Sequence, residues 1–331
     1  MSSIGLAIDT TFDDTSVAII QGHRELLANV TLSQFKDHAE FGGVVPERAS
    51  RKHLEVIHLL LDQALKTANI EYAQLSWIAV SNTPGLLGSL LVGLTVAKSL
   101  AMALDIPLIG INHIESHPYA NIIEQDLFPL PVVHLIVAGG HTLLIHQEDH
   151  FQWQVIGRSL DDAAGECVDK VAKMYGFPMP GGKAVDQASQ EHPADLYRFP
   201  RPMLDRPNLD FSFSGLKTAL RDFQKANPDA PSGPVFSALL DSIGHVLVEK
   251  ALRAVRQQES QALTVSGGLA ASRTLRKRFT ERCEQEGITL YYPSPGLCTD
   301  NAAMVACLAS YRYAAGQVDG LALEGVANLM V

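Results

Sequence analysis

Apolar runs and amphipathic stretches alternate along this chain, and the alternation predicts an α/β fold. Ile4–Asp9 has the form of a buried strand, Thr10-Thr11-Phe12-Asp13-Asp14-Thr15 of a polar turn, and Ser16–Ile20 of a second strand. The plan recurs in the second half. Val132–Val137 is an apolar strand, Ala138-Gly139-Gly140-His141-Thr142 a tight turn, and Leu143–His146 a strand leaving it. Two openings of the same design predict two similar α/β halves facing a cleft. Between them, Pro46–Asn69 carries Leu54, Ile57, Leu61 and Leu65 at helical spacing, with Pro46 near its start. Trp77–Val80 and Pro107–Asn112 have strand character, and Ser89–Leu104 predicts a helix. Further on, helices are expected over Ala163–Tyr175, Val235–Gln257, Ser272–Gln285 and Asp300–Ala315, and strands over Ala262–Ser266 and Ile288–Tyr292. The proline-rich stretch Glu191–Ser214 lacks a period and is expected to be loop.

Composition narrows the class. The 331 residues suffice for two ordinary domains, and 47% hydrophobic with 19% charged residues is a normal globular balance. No basic segment precedes the first strand, so a secretory signal is not expected. The apolar stretch Leu86–Leu104 contains Lys98, Ser89 and Ser99, which argues for a buried helix and against a membrane span. Four cysteines without a Cys-x-x-Cys pair make no disulfide framework and suit a reducing cytoplasm. The net charge of −10 repels nucleic acid overall, so an RNA ligand needs local basic patches or a partner's surface. Arg48, Arg51 and Lys52, and the cluster Arg273, Arg276, Lys277 and Arg278, are the candidates.

Candidate chemistry sits where strands end. His113 and His117 are four apart at the start of a predicted helix, so they share one face and make an aligned pair of metal ligands. Asp300, ahead of the last helix, offers a carboxylate; together they suggest a His-His-Asp site with open positions. A zinc-protease reading fails, because Glu115 follows His113 by two residues and points about 200° away from the metal face. Asp13 and Asp14 suit proton transfer, although an Asx turn would use the same residues. The glycine and hydroxyl turns 10–15, 138–142 and 267–272 suit phosphate, but a P-loop sequence is absent. Asp162 is a candidate helix cap, and Asp169 could accept hydrogen bonds from a substrate or pair with Lys173.

Taken in order, these segments resemble a known family. The series is Asp9–Thr15, Gly42-Gly43-Val44-Val45-Pro46-Glu47-Arg48-Ala49-Ser50-Arg51, His113-Ile114-Glu115-Ser116-His117, Gly139-Gly140-His141-Thr142, Asp161-Asp162-Ala163-Ala164-Gly165-Glu166, Pro180-Gly181-Gly182, Phe211–Thr218 and Cys298-Thr299-Asp300-Asn301. It is similar, over nearly the whole chain, to the tRNA N6-adenosine threonylcarbamoyltransferases (TsaD in bacteria), formerly described as O-sialoglycoprotein endopeptidases.

The resemblance implies an α/β, two-lobed fold of the actin, Hsp70 and sugar-kinase type with duplicated RNase H-like halves. One lobe would comprise 1–110 plus 305–331. The other would be 111–304, with an inserted loop and helical region near 178–235. It implies transfer of the threonylcarbamoyl group of threonylcarbamoyl-AMP to N6 of the adenosine 3′ of the anticodon, in tRNAs reading codons that begin with A. One divalent metal ion, iron(II) or zinc, would lie on His113, His117 and Asp300. For such a transfer, Asp13 or Asp14 would accept the N6 proton or orient the amine. Ile136, Val137, Ala138, Gly139, Gly140, His141, Asp169, Gly182, Asp186 and Ser272 would surround the adenylate. Implied partners are tRNA, a shorter inactive paralogue of the same fold and a small P-loop ATPase, with no membrane. The chain departs from the family's usual residues at Phe12 (a cysteine), Thr83 (a glycine), Ala138 (a serine) and Ser272 (an asparagine). Two other classes compete, an actin-like metabolite kinase and a non-enzymatic scaffold; the first leaves the histidine pair without a task, and the second leaves His113, His117, Asp300 and Asp13 without one.

Overall fold

A computed structural model describes residues 2–38, 41, 43–125 and 129–328. Gly42 of the Gly42-Gly43 motif lies outside them. The chain divides into two compact units, Met1–Asp126 with Asp300–Val331, and Leu127–Thr299.

The first unit is built on a five-stranded sheet. Its strands are β1 (Ile4–Asp9), β2 (Asp14–Gln21), β3 (Glu25–Ser33), β4 (Trp77–Thr83) and β5 (Leu108–Asn112), in the order β3-β2-β1-β4-β5. β2 runs antiparallel to β1 and β3, while β4 and β5 run parallel to β1. The parallel strands are buried on both faces, which is why they appear in the sequence as continuous apolar runs. Its helices are α1 (Phe35–His38), α2 (Pro46–Ala68), α3 (Leu87–Leu104), α4 (His113–Ser116), α5 (Tyr119–Ile122) and α11 (Ala302–Ala314). Proline at the first turn opens α2, and Asn69 ends it in a left-handed conformation, φ 53°. α11 is buried from Ala302 to Ser310, consistent with its run of small residues.

The second unit repeats this topology. Its strands are β6 (Val132–Val137), β7 (Thr142–Asp149), β8 (Gln152–Arg158), β9 (Ala262–Ser266) and β10 (Thr289–Tyr291), in the order β10-β9-β6-β7-β8. β7 is antiparallel to β6 and β8, and β9 and β10 run parallel on the other side. Numbered within each unit, both sheets read 3-2-1-4-5 with the same strand directions, so the duplication expected from the two openings is present. Helices α6 (Ala164–Met174), α7 (Gly182–Ser189), α8 (Ser214–Ala226), α9 (Ser232–Gln257) and α10 (Arg273–Glu286) complete it. Their core gathers Val133 and Leu135 of β6, Val168 and Val171 of α6, and Phe236, Leu239 and Ile243 of α9.

Two differences from the sequence reading have physical causes. The units divide at 126/127 and 299/300, not at 110/111 and 304/305, because α4 and α5 pack against α11 of the first sheet. α3 is buried only along Ser89, Leu90, Gly93, Leu94, Ala97 and Ala101; Leu87, Leu91 and Met102 face solvent, so it is not the fully buried helix expected. α3 is also the one described helix long and apolar enough to cross a membrane, by length and composition alone. The 178–235 region, expected to mix loop and helix, holds α7 and α8 on either side of a loop.

Candidate active site

In the first unit, β1, β4 and β5 are parallel and so end at one edge, where ligands bind in open α/β sheets. Asp9 ends β1 and Asn112 ends β5. Asn112 caps α4, its Oδ1 accepting from the N–H of Ile114 (2.9 Å), and this start of a helix presents His113. Asp9 Oδ1 accepts from Thr11 N–H (3.1 Å), and its Oδ2 lies 2.8 Å from His113 Nδ1. With Nδ1 engaged, His113 turns Nε2 toward Asp300 Oδ2 at 3.5 Å, and His117 Nε2 lies 3.6 Å from Asp300 Oδ1. One ligand atom from each of His113, His117 and Asp300 falls within 4.8 Å of the others. Both histidines are 1% exposed and the Asp300 side chain 31%, so the group has one open flank.

The residues fit a metal. Bonds of about 2.1 Å in tetrahedral array put ligand atoms about 3.4 Å apart, close to the two separations here. A carboxylate on the far nitrogen of a ligating histidine, as Asp9 is on His113, is the usual outer support. The electrostatics agree: burial opposes protonation of His113, but Asp9 and Asp300 outweigh it and push the imidazole up to about 10. The pocket thus stabilises positive charge at this point.

Asp13 and Asp14 join the same negative field. Burial raises Asp13, and Asp300 adds to the rise. Burial lifts Asp14 to about 7 against a hydrogen bond from Ser33, with Asp13, Asp300 and Asp9 contributing. Asp14 Oδ1 is buried without a hydrogen-bond partner among the described residues. A carboxyl poised near neutrality suits proton transfer.

In the second unit, the turn after β6 closes with Ala138 N–H donating to His141 O (3.0 Å). Gly139 and Gly140 are exposed; a Cβ on either would meet nothing within 4 Å, and neither has positive φ. The fold does not demand glycine at these two positions, whereas close approach of a ligand to the backbone would. By contrast, Gly267 (φ +91°) is demanded, since its Cβ would come 2.6 Å from the Val137 carbonyl carbon. Thr142 Oγ1 accepts from Ala164 N–H (2.9 Å), anchoring the start of α6 beside the turn.

Several expected adenylate contacts are engaged in helix starts. Asp169 Oδ1 accepts from Gly181 N–H at 2.6 Å, holding the chain that enters α7. Asp186 accepts from Ser272 Oγ (2.5 Å), Arg273 N–H (3.1 Å) and Thr274 N–H (3.2 Å), and so caps α10 together with Ser272. Ile136 and Val137 are 0% and 1% exposed within β6. Gly182 opens α7 beside Leu269. Of the basic candidates, Arg276 is committed to Ala270 O, Pro293 O and the Tyr292 ring, and Arg278 to Asp241. Arg48 lies over Phe41, and Lys52 pairs with Glu55. Arg51, Arg273 and Lys277 are exposed.

A family model described as tRNA N6-adenosine threonylcarbamoyltransferase matches residues 25–307. The chain belongs to that family. A transferase of this name from Syntrophotalea carbinolica is 42% identical over 98% of this chain and 95% of its own, and one from Staphylococcus epidermidis is 44% identical over 98% and 96%. Among solved structures, nucleotide-bound HypF aligns with TM-score 0.63 at 14% identity, over 96% of this chain and 57% of its own. Component A of the Acidaminococcus fermentans (R)-2-hydroxyglutaryl-CoA dehydratase aligns at 0.58 and 12%, over 95% and 100%. At such identities these two show the two-lobed fold alone. In this transferase the sequence reading missed Asp9 and Asn112 as supports of His113. The signal was present for both: Asp9 is the last residue of an apolar strand, and Asn112 directly precedes the first histidine.

Proposed function

We propose that this transferase moves the threonylcarbamoyl group of threonylcarbamoyl-AMP to N6 of the adenosine 3′ of the anticodon, in tRNAs reading A-starting codons, and releases AMP. The observation that carries the reading is the convergence of His113, His117 and Asp300, supported by Asp9, in a chain of this family. A divalent cation, iron(II) or zinc, held by those three would supply Lewis acidity toward an oxygen of the donor.

The chain's own residues supply the rest. The N6 lone pair is delocalised into the adenine ring, so attack on the carbamoyl carbon needs close positioning. As the N–C bond forms, the bond to the phosphate oxygen breaks and the amine loses a proton. Asp14, with Asp13 beside it, accepts that proton. The leaving AMP phosphate is bound by the N–H groups of Gly139, Gly140 and His141, whose open glycines support this assignment. Asp169, Gly182, Asp186 and Ser272 shape the nucleoside site mainly by fixing the starts of α7 and α10. Exposed Arg51, Arg273 and Lys277 are the phosphate contacts we favour for tRNA.

For the partner of the same fold, the surface of α3 offers a docking face. On α3, Leu87, Leu91 and Met102 are exposed and lie on one flank by helical spacing, an apolar stripe suited to a partner's helix. The small ATPase rests on the family resemblance alone; a cytoplasmic setting rests on the cysteine content. The test is mass spectrometry of tRNA nucleosides after incubating unmodified tRNA with threonylcarbamoyl-AMP, the metal-loaded protein and both partners. Threonylcarbamoyladenosine should accumulate, and His113→Ala should abolish it together with bound metal. Wild-type turnover by a metal-free His113→Ala protein would refute the metal role.

A further inference from the structure

A buried chain of hydrogen bonds in the first unit ends on the loop that carries Asp13 and Asp14. Val45 N–H donates to His38 Nδ1 (3.3 Å), and His38 Nε2 lies 3.2 Å from Gln34 Oε1. Gln34 Nε2 lies 3.3 Å from His53 Nδ1, and His53 Nε2 is 3.1 Å from Phe12 O. Gln34 and His53 are fully buried and His38 is 4% exposed.

Both ends fix its direction. A backbone N–H can only donate, so His38 accepts at Nδ1 and carries its proton on Nε2. Gln34 then accepts at Oε1 and donates from Nε2, an orientation reinforced by its second bond, to Ala49 O at 3.3 Å. At the other end a carbonyl can only accept, so His53 carries its proton on Nε2 and accepts at Nδ1. Thr15 O–H, 2.8 Å from the same Nδ1, shares that nitrogen's single lone pair with the Gln34 amide. Burial lowers the His53 pKa, which keeps the ring neutral as the pattern requires.

Every contact at the far end surrounds the two carboxylates. His53 holds the carbonyl of Phe12 and the hydroxyl of Thr15, while Gln34 N–H donates to Asp13 O at 3.0 Å. At the near end, Val45 directly precedes α2, and Ala49 and His53 lie within it. We propose that Gln34 and His53 are positioning residues for the transfer, fixing the backbone that aims Asp13 and Asp14 from the rigid start of α2. This rests on the function proposed above. A break leaves buried polar groups unpaired and frees the loop, and a displacement of about 1 Å near reacting atoms can cost about 100-fold in rate.

Two measurements test it. Nitrogen-15 imidazole spectra of the folded protein should show Nε2–H tautomers for His38 and His53; an Nδ1–H tautomer at either overturns the directed chain. In transfer assays normalised to folded, metal-loaded protein, Gln34→Met preserves volume but breaks the chain. Its kcat should fall about 100-fold while KM for donor and tRNA stays within about two-fold. His53→Leu should behave alike, whereas His53→Gln, which keeps a donor for Phe12 O, should recover most of the rate. Wild-type kcat in Gln34→Met, or losses that only track the unfolded fraction, would overturn the positioning role. A wild-type protein inactive with metal and partners present overturns the function itself and this role with it, even where both tautomers are as expected.

Discussion

Asp14 illustrates what function costs at the scale of one residue. Burial lifts its carboxyl from 3.8 to about 7, so its ionised form is disfavoured in the folded chain. The sign follows from linkage. Below pH 4 both folded and unfolded forms are protonated and nothing is lost; between pH 4 and 7 the unfolded form ionises first, so stability falls as pH rises. Above pH 7 the penalty is complete, about 4 kcal/mol for a shift of about three units. Asp14→Asn should therefore stabilise the metal-stripped protein at pH 8 by a few kcal/mol and scarcely at pH 4, as measured by urea midpoints. An equal gain at both pH values would count against the burial argument. The same substitution should lower the transfer rate about 100-fold or more, the usual cost of losing a general base, and remove the rise in rate as pH passes through 7.

At the scale of the element, helix starts in the second unit are capped from far along the chain. Asp161 Oδ1 accepts from the N–H groups of Phe213 (2.8 Å) and Ser214 (3.2 Å), and Oδ2 accepts from Ser212 Oγ (2.6 Å) and Ser214 Oγ (2.7 Å). This carboxylate opens α8, and those bonds lower its pKa despite burial. Asp161→Ala should cost about 1–2 kcal/mol, read as a lower urea midpoint at unchanged m. An undiminished midpoint would show that water replaces the cap. Such pairings explain what was legible in the sequence. The central strands β1, β6 and β9 were read to the residue, because burial on both faces leaves an unbroken apolar run, whereas the polar end of β4, Ser81–Thr83, was not. Helices with a long apolar stripe were found too. Edge strands β3 and β8 and the short-striped α8 were not, since only Leu216 and Leu220 of α8 are fully buried. The His-His spacing was legible because four residues span about one turn. That Asp162 pairs with Lys170 and Lys217 rather than capping α6, and that Asp169 caps α7 rather than meeting Lys173, depends on contacts that sequence spacing does not encode.

At the scale of the whole molecule, net charge and surface pull in different directions. With 36 acidic against 26 basic residues the chain repels a polyanion, and part of its basic complement is spent internally, as Arg276, Arg278 and Lys217 are. Among the described residues α3 carries an exposed apolar stripe: Leu87 and Leu91 stand one turn apart at 49% and 48% exposure, with Met102 further along the same flank. The partner proposed above, a paralogue of the same fold, would have to cover this stripe if it docks here. Leu91→Glu places a charge at the centre of that stripe without touching the sheet-facing side. It should leave the thermal midpoint within about 1 °C, because exposed substitutions usually change stability by less than 0.5 kcal/mol. It should weaken association with the paralogue about 100-fold or more, as loss of a central apolar anchor does. Sedimentation of the mixed proteins reads the second effect and calorimetry the first. If Leu91→Glu associates as tightly as the wild type, the partner docks elsewhere and the apolar face needs another explanation.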